Sequence, residues 1–402
     1  MKRYLCSIII GMVVILSIGT YYVKVASSAS SLPKYTFKTL EGSDKELDPV
    51  IINASLQNGS NFYEPLTIES NTTTYASERS YLENLTGRQD HLIERLVKEH
   101  RSFMRGKDSI SSLYEDDDFL AYARVNSEYT KSGDMEAKFD IGLLEKKDEE
   151  ETSFQIELPN QGRIMNADVR DVQLVHSKLQ VLTMNDVNSN NEKQTKEVHL
   201  YTIDVANKKV LSDKTLVSET FTEPEQVDFQ MPIDLAPSQP NNMVFISLIK
   251  GVNHEDGFEE KLKESKLLSY NYETEKVETV KKGSLSLDMA RSGYTDGKNL
   301  YTVEMKSGKY RIKTFDLSSQ TLTNDTELDI AANKEEQYTA AFKNGRVYFL
   351  LNGMNQVGKT NKPAKLLIAD IKTGKTLYKG ETIINKKNSK SFELYIDDLE
   401  IK

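Results

Sequence analysis

Two stretches carry residue types and spacings that could do chemistry. Gly353, Gly358, Lys359 and Thr360 satisfy the pattern G-x-x-x-x-G-K-S/T, and Asp370 closes an apolar run ten residues on, as in a nucleotide-binding site that holds Mg²⁺. A phosphate cradle needs a helix starting at the lysine, so that backbone N–H groups point at the anion. Pro363 falls where that helix would need an N–H, and an apolar strand begins within a few residues. The stretch therefore reads as a polar hairpin loop, and no nucleotide partner is expected.

The second stretch is Asp186, Asn188 and Asn190, followed by Glu197. This spacing resembles a Ca²⁺ loop in which Asn191 replaces the turn glycine, and Asn tolerates the left-handed conformation. Lys193 and Lys196 lie inside the loop and oppose a cation. A solvated hairpin tip is the favoured account, and these four residues are the only metal-ligand candidates the sequence offers. The histidines at 91, 100, 176, 199 and 254 form no metal pattern, and no hydrolase or redox motif occurs. Acidic runs around 116–118, 148–151 and 255–260 read as solvated loops. No catalytic residue and no cofactor-binding residue is assigned.

Elements must position whatever site exists, and composition bounds them. The chain has 402 residues, with 52 Lys+Arg against 61 Asp+Glu for a net charge of −9, and one cysteine. A disulfide scaffold is excluded, and an acidic surface argues against a nucleic-acid partner bound through its phosphates. Residues 5–23, opening on Leu5 and closing on Val23, carry no charge. As a helix the run is long enough for a ~30 Å hydrocarbon core. Lys2 and Arg3 precede it, so the chain is expected to be a single-pass membrane protein whose remainder lies outside the cytoplasm. The alternative is secretion after signal cleavage near Ala29, since Ala26 and Ala29 are small residues at suitable spacing.

From about residue 116 a unit recurs. A first apolar strand appears at 119–123, 179–183, 243–249, 300–304 and 347–351. A second strand ends in Asp204, Asn271, Asp316 or Asp370, and the chain turns apolar again at Val210, Val277, Leu322 and Leu377. Asp and Asn cap tight turns, so each unit reads as an antiparallel meander. Five units begin near 116, 164, 226, 286 and 335. A sixth is expected from 49–56 and 65–68, with the alternating segment 391–401 closing against N-terminal sequence.

This grammar resembles the blades of bacterial WD40-like propeller repeats, although the Trp-Asp signature is absent. The resemblance implies an all-β fold, a β-propeller of about six blades (five to seven), with one amphipathic helix inserted at 87–104. The expected organisation is an anchor or signal segment at 1–24, a linker and first strand at 25–48, N-terminal blade strands with the helix at 49–115, and propeller repeats at 116–402. The expected role is a non-enzymatic module that binds an envelope protein or ligand, accessory to a sensor or transporter. The rival is a propeller enzyme, such as a lyase, lactonase or glycan hydrolase, working at a central channel.

Overall fold

The computed structural model describes residues 10–17, 19–20, 32–57, 63–70, 72–79, 90–129, 135–188, 193–253, 260–280, 293–332, 336–353, 363–384 and 392–402. The body is all-β. Strands β1 (Tyr35–Gly42), β2 (Val50–Gln57), β3 (Tyr63–Glu69) and β4 (Thr72–Tyr75) precede helix α1 (His91–Glu99). A meander of β5 (Leu113–Glu115), β6 (Phe119–Tyr129), β7 (Met135–Glu145) and β8 (Glu150–Glu157) follows, ordered β5-β6-β7-β8. The next sheet is β9 (Ile164–Val175), β10 (Lys178–Asn188), β11 (Lys193–Asp204) and β12 (Lys209–Thr222), again hydrogen-bonded in chain order.

The third meander runs β13-β15-β16-β17, because β14 (Ile233–Asp234) leaves it. Its members are β13 (Glu225–Gln230), β15 (Met243–Asn253), β16 (Glu260–Asn271) and β17 (Lys276–Thr279). β14 instead opens the fourth sheet, β14-β18-β19-β20-β21, by a parallel pairing with β18 (Tyr294–Thr295). The antiparallel remainder is β19 (Asn299–Lys306), β20 (Lys309–Asp316) and β21 (Thr321–Ala331). The fifth sheet uses β22 (Glu336–Lys343), β23 (Arg346–Gly353), β24 (Lys365–Asp370) and β25 (Thr376–Ile384), with β1 added at its outer edge. The last strand, β26 (Glu393–Ile401), pairs with β2 in the order β26-β2-β3-β4.

The repeated turn has one chemistry. Asp204 accepts from Asn207 N, Asn271 from Glu273 N and Thr274 N, Asp316 from Ser319 N, and Asp370 from Lys372 N and Thr373 N. Four residues after each acceptor the backbone has positive φ, at Lys208, Glu275, Gln320 and Gly374. The carboxylate or amide oxygen satisfies turn N–H groups, and the left-handed residue reverses the chain into the outer strand. At Gly374 a side chain is also excluded by space, since a Cβ would lie 2.6 Å from Glu327 O.

Contacts divide the chain into two compact units, one of 1–91, 305–311 and 326–402, the other of 92–304 and 312–325. In the second unit, apolar layers lie between successive sheets. Phe139 of β7 meets Tyr201 of β11 edge-on at 4.9 Å, in a cluster that includes Ala121, Val181 and Ile203. Leu182, Val198 and Leu200 then pack with Phe229, Ile246 and Tyr270, and Phe245 and Leu267 with Leu300 and Phe315. Such layers form because the middle strands are apolar on both faces, so each sheet needs a neighbour on either side. In the first unit, Ile52, Leu56 and Leu66 share a core with Tyr348, Leu350, Leu366 and Ile368.

The inserted helix is shorter than expected. It spans His91–Glu99 and buries Ile93 and Leu96 against the first meander, together with Phe103 and Leu120, while 100–106 form turns closed by Gly106 at positive φ. Residues 87–89 of the expected helix lie outside the described residues. Residues 10–17 are helical, and among the described residues no helix is long and apolar enough to cross a membrane.

Candidate functional site

In the second unit the connection between β13 and β15 is a strut with three prolines, at 232, 237 and 240, which fix φ and stiffen it. Its backbone is tied to three sheets. Glu115 N donates to Ser238 O at 2.6 Å, Asn241 N donates to Gln173 Oε1 at 2.9 Å, and Leu235 N donates to Thr295 O at 2.9 Å. The strut forms one wall of a cleft of 190 Å³. Met231 and Asp234 come from the strut, Met243 and Phe245 from β15, and Arg170 and Asp171 from β9.

The polar groups of the cleft are fixed by hydrogen bonds. Asp171 accepts from the Tyr272 hydroxyl at 2.6 Å and from Gln173 Nε2 at 3.0 Å. Burial pushes its carboxyl up to about 6, the negative charge of Asp234 adds to the rise, and those hydrogen bonds work against it. Asp234 accepts from Ala236 N at 2.9 Å. Its carboxyl is raised by burial and by nearby Asp296. Arg170 is half exposed, with its guanidinium 3.9 Å from Asp168. Among the described residues, no Lys or Arg forms an ion pair with Asp171 or Asp234.

A second polar cluster lies on β11 and β12. His199 Nδ1 is 2.7 Å from Asp213 and Nε2 is 2.7 Å from Glu197, while Ser218 donates to the other Glu197 oxygen at 3.0 Å. Each ring nitrogen thus faces a carboxylate oxygen, and the imidazole is clamped between two acidic side chains. Burial would raise Glu197, but the His199 and Ser218 hydrogen bonds overcome it and hold the carboxyl below its usual range.

The proposed Ca²⁺ loop falls in the β10–β11 hairpin. Asn185 pairs with Glu197 and Asp186 with Lys196, so the side chains of Asp186 and Glu197 point to opposite faces of the sheet. Asn188 stands opposite Gln194, and Asn190 lies outside the described residues. Glu197 is committed to His199 and Ser218 instead. Among the described residues, no group of three or more His, Cys, Asp or Glu could hold a metal ion. The second apparent motif falls on β23 and β24, which pair antiparallel, and its residues 354–362 lie outside the described ones.

The cleft residues carried no signal in the sequence. Asp171 sits in an apolar-polar strand interrupted by an irregularity of register between Leu182 and Thr183 of the partner, which turns it inward. Its partner Tyr272 is 101 positions away.

No family model matches this chain, and no curated protein matches it. Solved structures similar to it include the Synechocystis apocarotenoid oxygenase, at 9% identity and TM-score 0.41 over 91% of this chain and 96% of that one. TolB from Acinetobacter baumannii matches at 10% identity and TM-score 0.26, over 87% and 67%. The polysaccharide lyase Uly1 matches at 10% and 0.36, over 63% of this chain and 58% of that one, so little more than half of the lyase is spanned. These likenesses assign neither an activity nor a site.

Proposed function

We propose that this chain is an exported β-propeller of about six blades, held at the membrane by residues 5–23, and that it acts as a binding module for a small ligand. Among the described residues, six sheets of four or five strands, with apolar layers between successive sheets inside each unit, support the propeller reading. The cleft carries the binding reading. It joins apolar walls from Met231, Met243 and Phe245 to a few polar groups, Asp234 on a strut tied to three sheets and Arg170 and Asp171 on β9, which is the make-up of a preformed ligand pocket. The test is a thermal-shift screen of the full chain in detergent against small envelope and nutrient compounds. At least one compound raises the melting temperature in the parent and not in Phe245→Ala. A panel without a hit, or a hit that survives the substitution, refutes the reading. Protease treatment of intact cells tests the topology, since an exported body is cut and a cytoplasmic one is protected.

A second reading, the propeller enzyme, is favoured by Asp171, whose carboxyl titrates at about 6 inside the cleft, where a general acid would be useful. Turnover of glycan or lactone substrates that disappears in Asp171→Asn would establish it.

A further inference from the structure

We infer that the cleft between the proline strut, β9 and β15 takes a primary ammonium group carried on a short apolar body. The inference rests on the binding reading and names the chemical class of the ligand.

The cleft lining is of two kinds. Met231, Met243 and Phe245 offer thioether and ring surface, which packs against aliphatic chain and attracts a cation to the aromatic face. Asp171 and Asp234 line the same cleft. A carboxylate turned into an apolar cleft without a counter-cation is costly, and a bound ammonium offsets that cost with charge-assisted hydrogen bonds. Asp234 is pre-positioned for this. Its neighbours Ile233 and Leu235 are anchored by backbone bonds to Gly293 O and Thr295 O, both at 2.9 Å, so little is lost in ordering it on binding. A volume of 190 Å³ equals on the order of six waters, the bulk of an amine with about five carbons. Arg170 also lines the cleft, where it would meet a carboxylate on the same ligand.

Calorimetric titration of the full chain in detergent with isopentylammonium, leucine and isoamyl alcohol tests the inference. The first two share the ammonium and the branched chain, and the third keeps the shape without the charge. The expected result is binding of one or both ammonium compounds at least tenfold tighter than the alcohol. The tighter of the two identifies a simple amine or an amino acid as the source. Asp234→Asn keeps the acceptor for Ala236 N while removing the charge, and should weaken ammonium binding at least tenfold, with Asp234→Glu restoring part of it. If the alcohol binds as tightly as the amine, the cleft is a ligand site and the ammonium class is wrong. If no probe binds, the ammonium inference falls, while the binding reading is decided by the compound screen.

Discussion

The Tyr272 hydroxyl donates to Asp171 across 2.6 Å and so joins the third meander of the second unit to its β9 sheet. Both side chains are buried, and Tyr272 is 1% exposed. Tyr272→Phe removes the donor and leaves a buried carboxyl with Gln173 as its remaining side-chain donor. The expected loss is ~1–3 kcal/mol of unfolding free energy in urea. A double-mutant cycle with Asp171→Asn should return a coupling above ~0.5 kcal/mol, and a coupling near zero would show that the bond is not a stabilising contact.

The same carboxyl makes stability depend on pH with a definite sign. Its folded value of about 6 lies above the ordinary 3.8, so between those values the folded chain holds a proton that the unfolded chain has released. Stability from this group is therefore full below about 4 and declines as pH rises through 6, by about 3 kcal/mol in total. Asp234 and the Tyr272 hydroxyl face it and move the midpoint, and Asp204 titrates with the opposite sign because Lys178 holds its carboxyl low. The clean observable is the difference between parent and Asp171→Asn across pH 4 to 8, in which the parent should gain on the variant as the solution is acidified.

Local chemistry made most of the fold legible. The Asp or Asn that ends each second strand announced its turn, because the oxygen that bonds the turn amides and the left-handed residue four places later are both local features. Closure of β26 on β2 was legible as well, from alternation in the last segment and the need to cover an edge. What stayed hidden is long-range. β1 reads as an isolated strand after a linker, yet it pairs with β25, and nothing near Tyr35 encodes the partner some 340 positions on. The cleft was hidden for the same reason, since Asp171, Asp234 and Tyr272 come from three separate sheets. Glu197 was noticed for its distance from Asp186 along the chain, but strand alternation turned it toward His199 instead.

That histidine is the centre of the second polar cluster. Glu197 and Asp213 are both mostly buried, with side chains 11% and 14% exposed, and His199 stands 2.7 Å from each. His199→Leu leaves two carboxylates facing an apolar group, so a loss of ~3–5 kcal/mol is expected. Adding Glu197→Gln and Asp213→Asn to that variant removes the stranded charges and should recover most of the loss. Urea unfolding of the parent, single and triple variants checks this, and a single variant as stable as the parent would show that the clamp does not stabilise the fold.

Removal of β26 tests whether the last strand completes the sheet it joins. β26 runs antiparallel to β2 from Val50↔Ile401 to Gln57↔Glu393, and Lys402 N adds a bond to Pro49 O at 2.8 Å. β2 is buried from Val50 to Leu56, with Val50, Ile52, Ala54 and Leu56 on its apolar face, so without β26 its edge would present unpaired N–H and C=O groups beside a core. Leu399→Ala removes one buried side chain and should cost ~2–5 kcal/mol. Deleting 392–402 should do far more, giving a chain that aggregates on expression and has no cooperative melt. A synthetic peptide of 392–402, supplied during refolding, should restore that melt by adding back the missing strand. A deleted chain that melts at the parent's temperature would mean that β2 finds another partner and that β26 is dispensable.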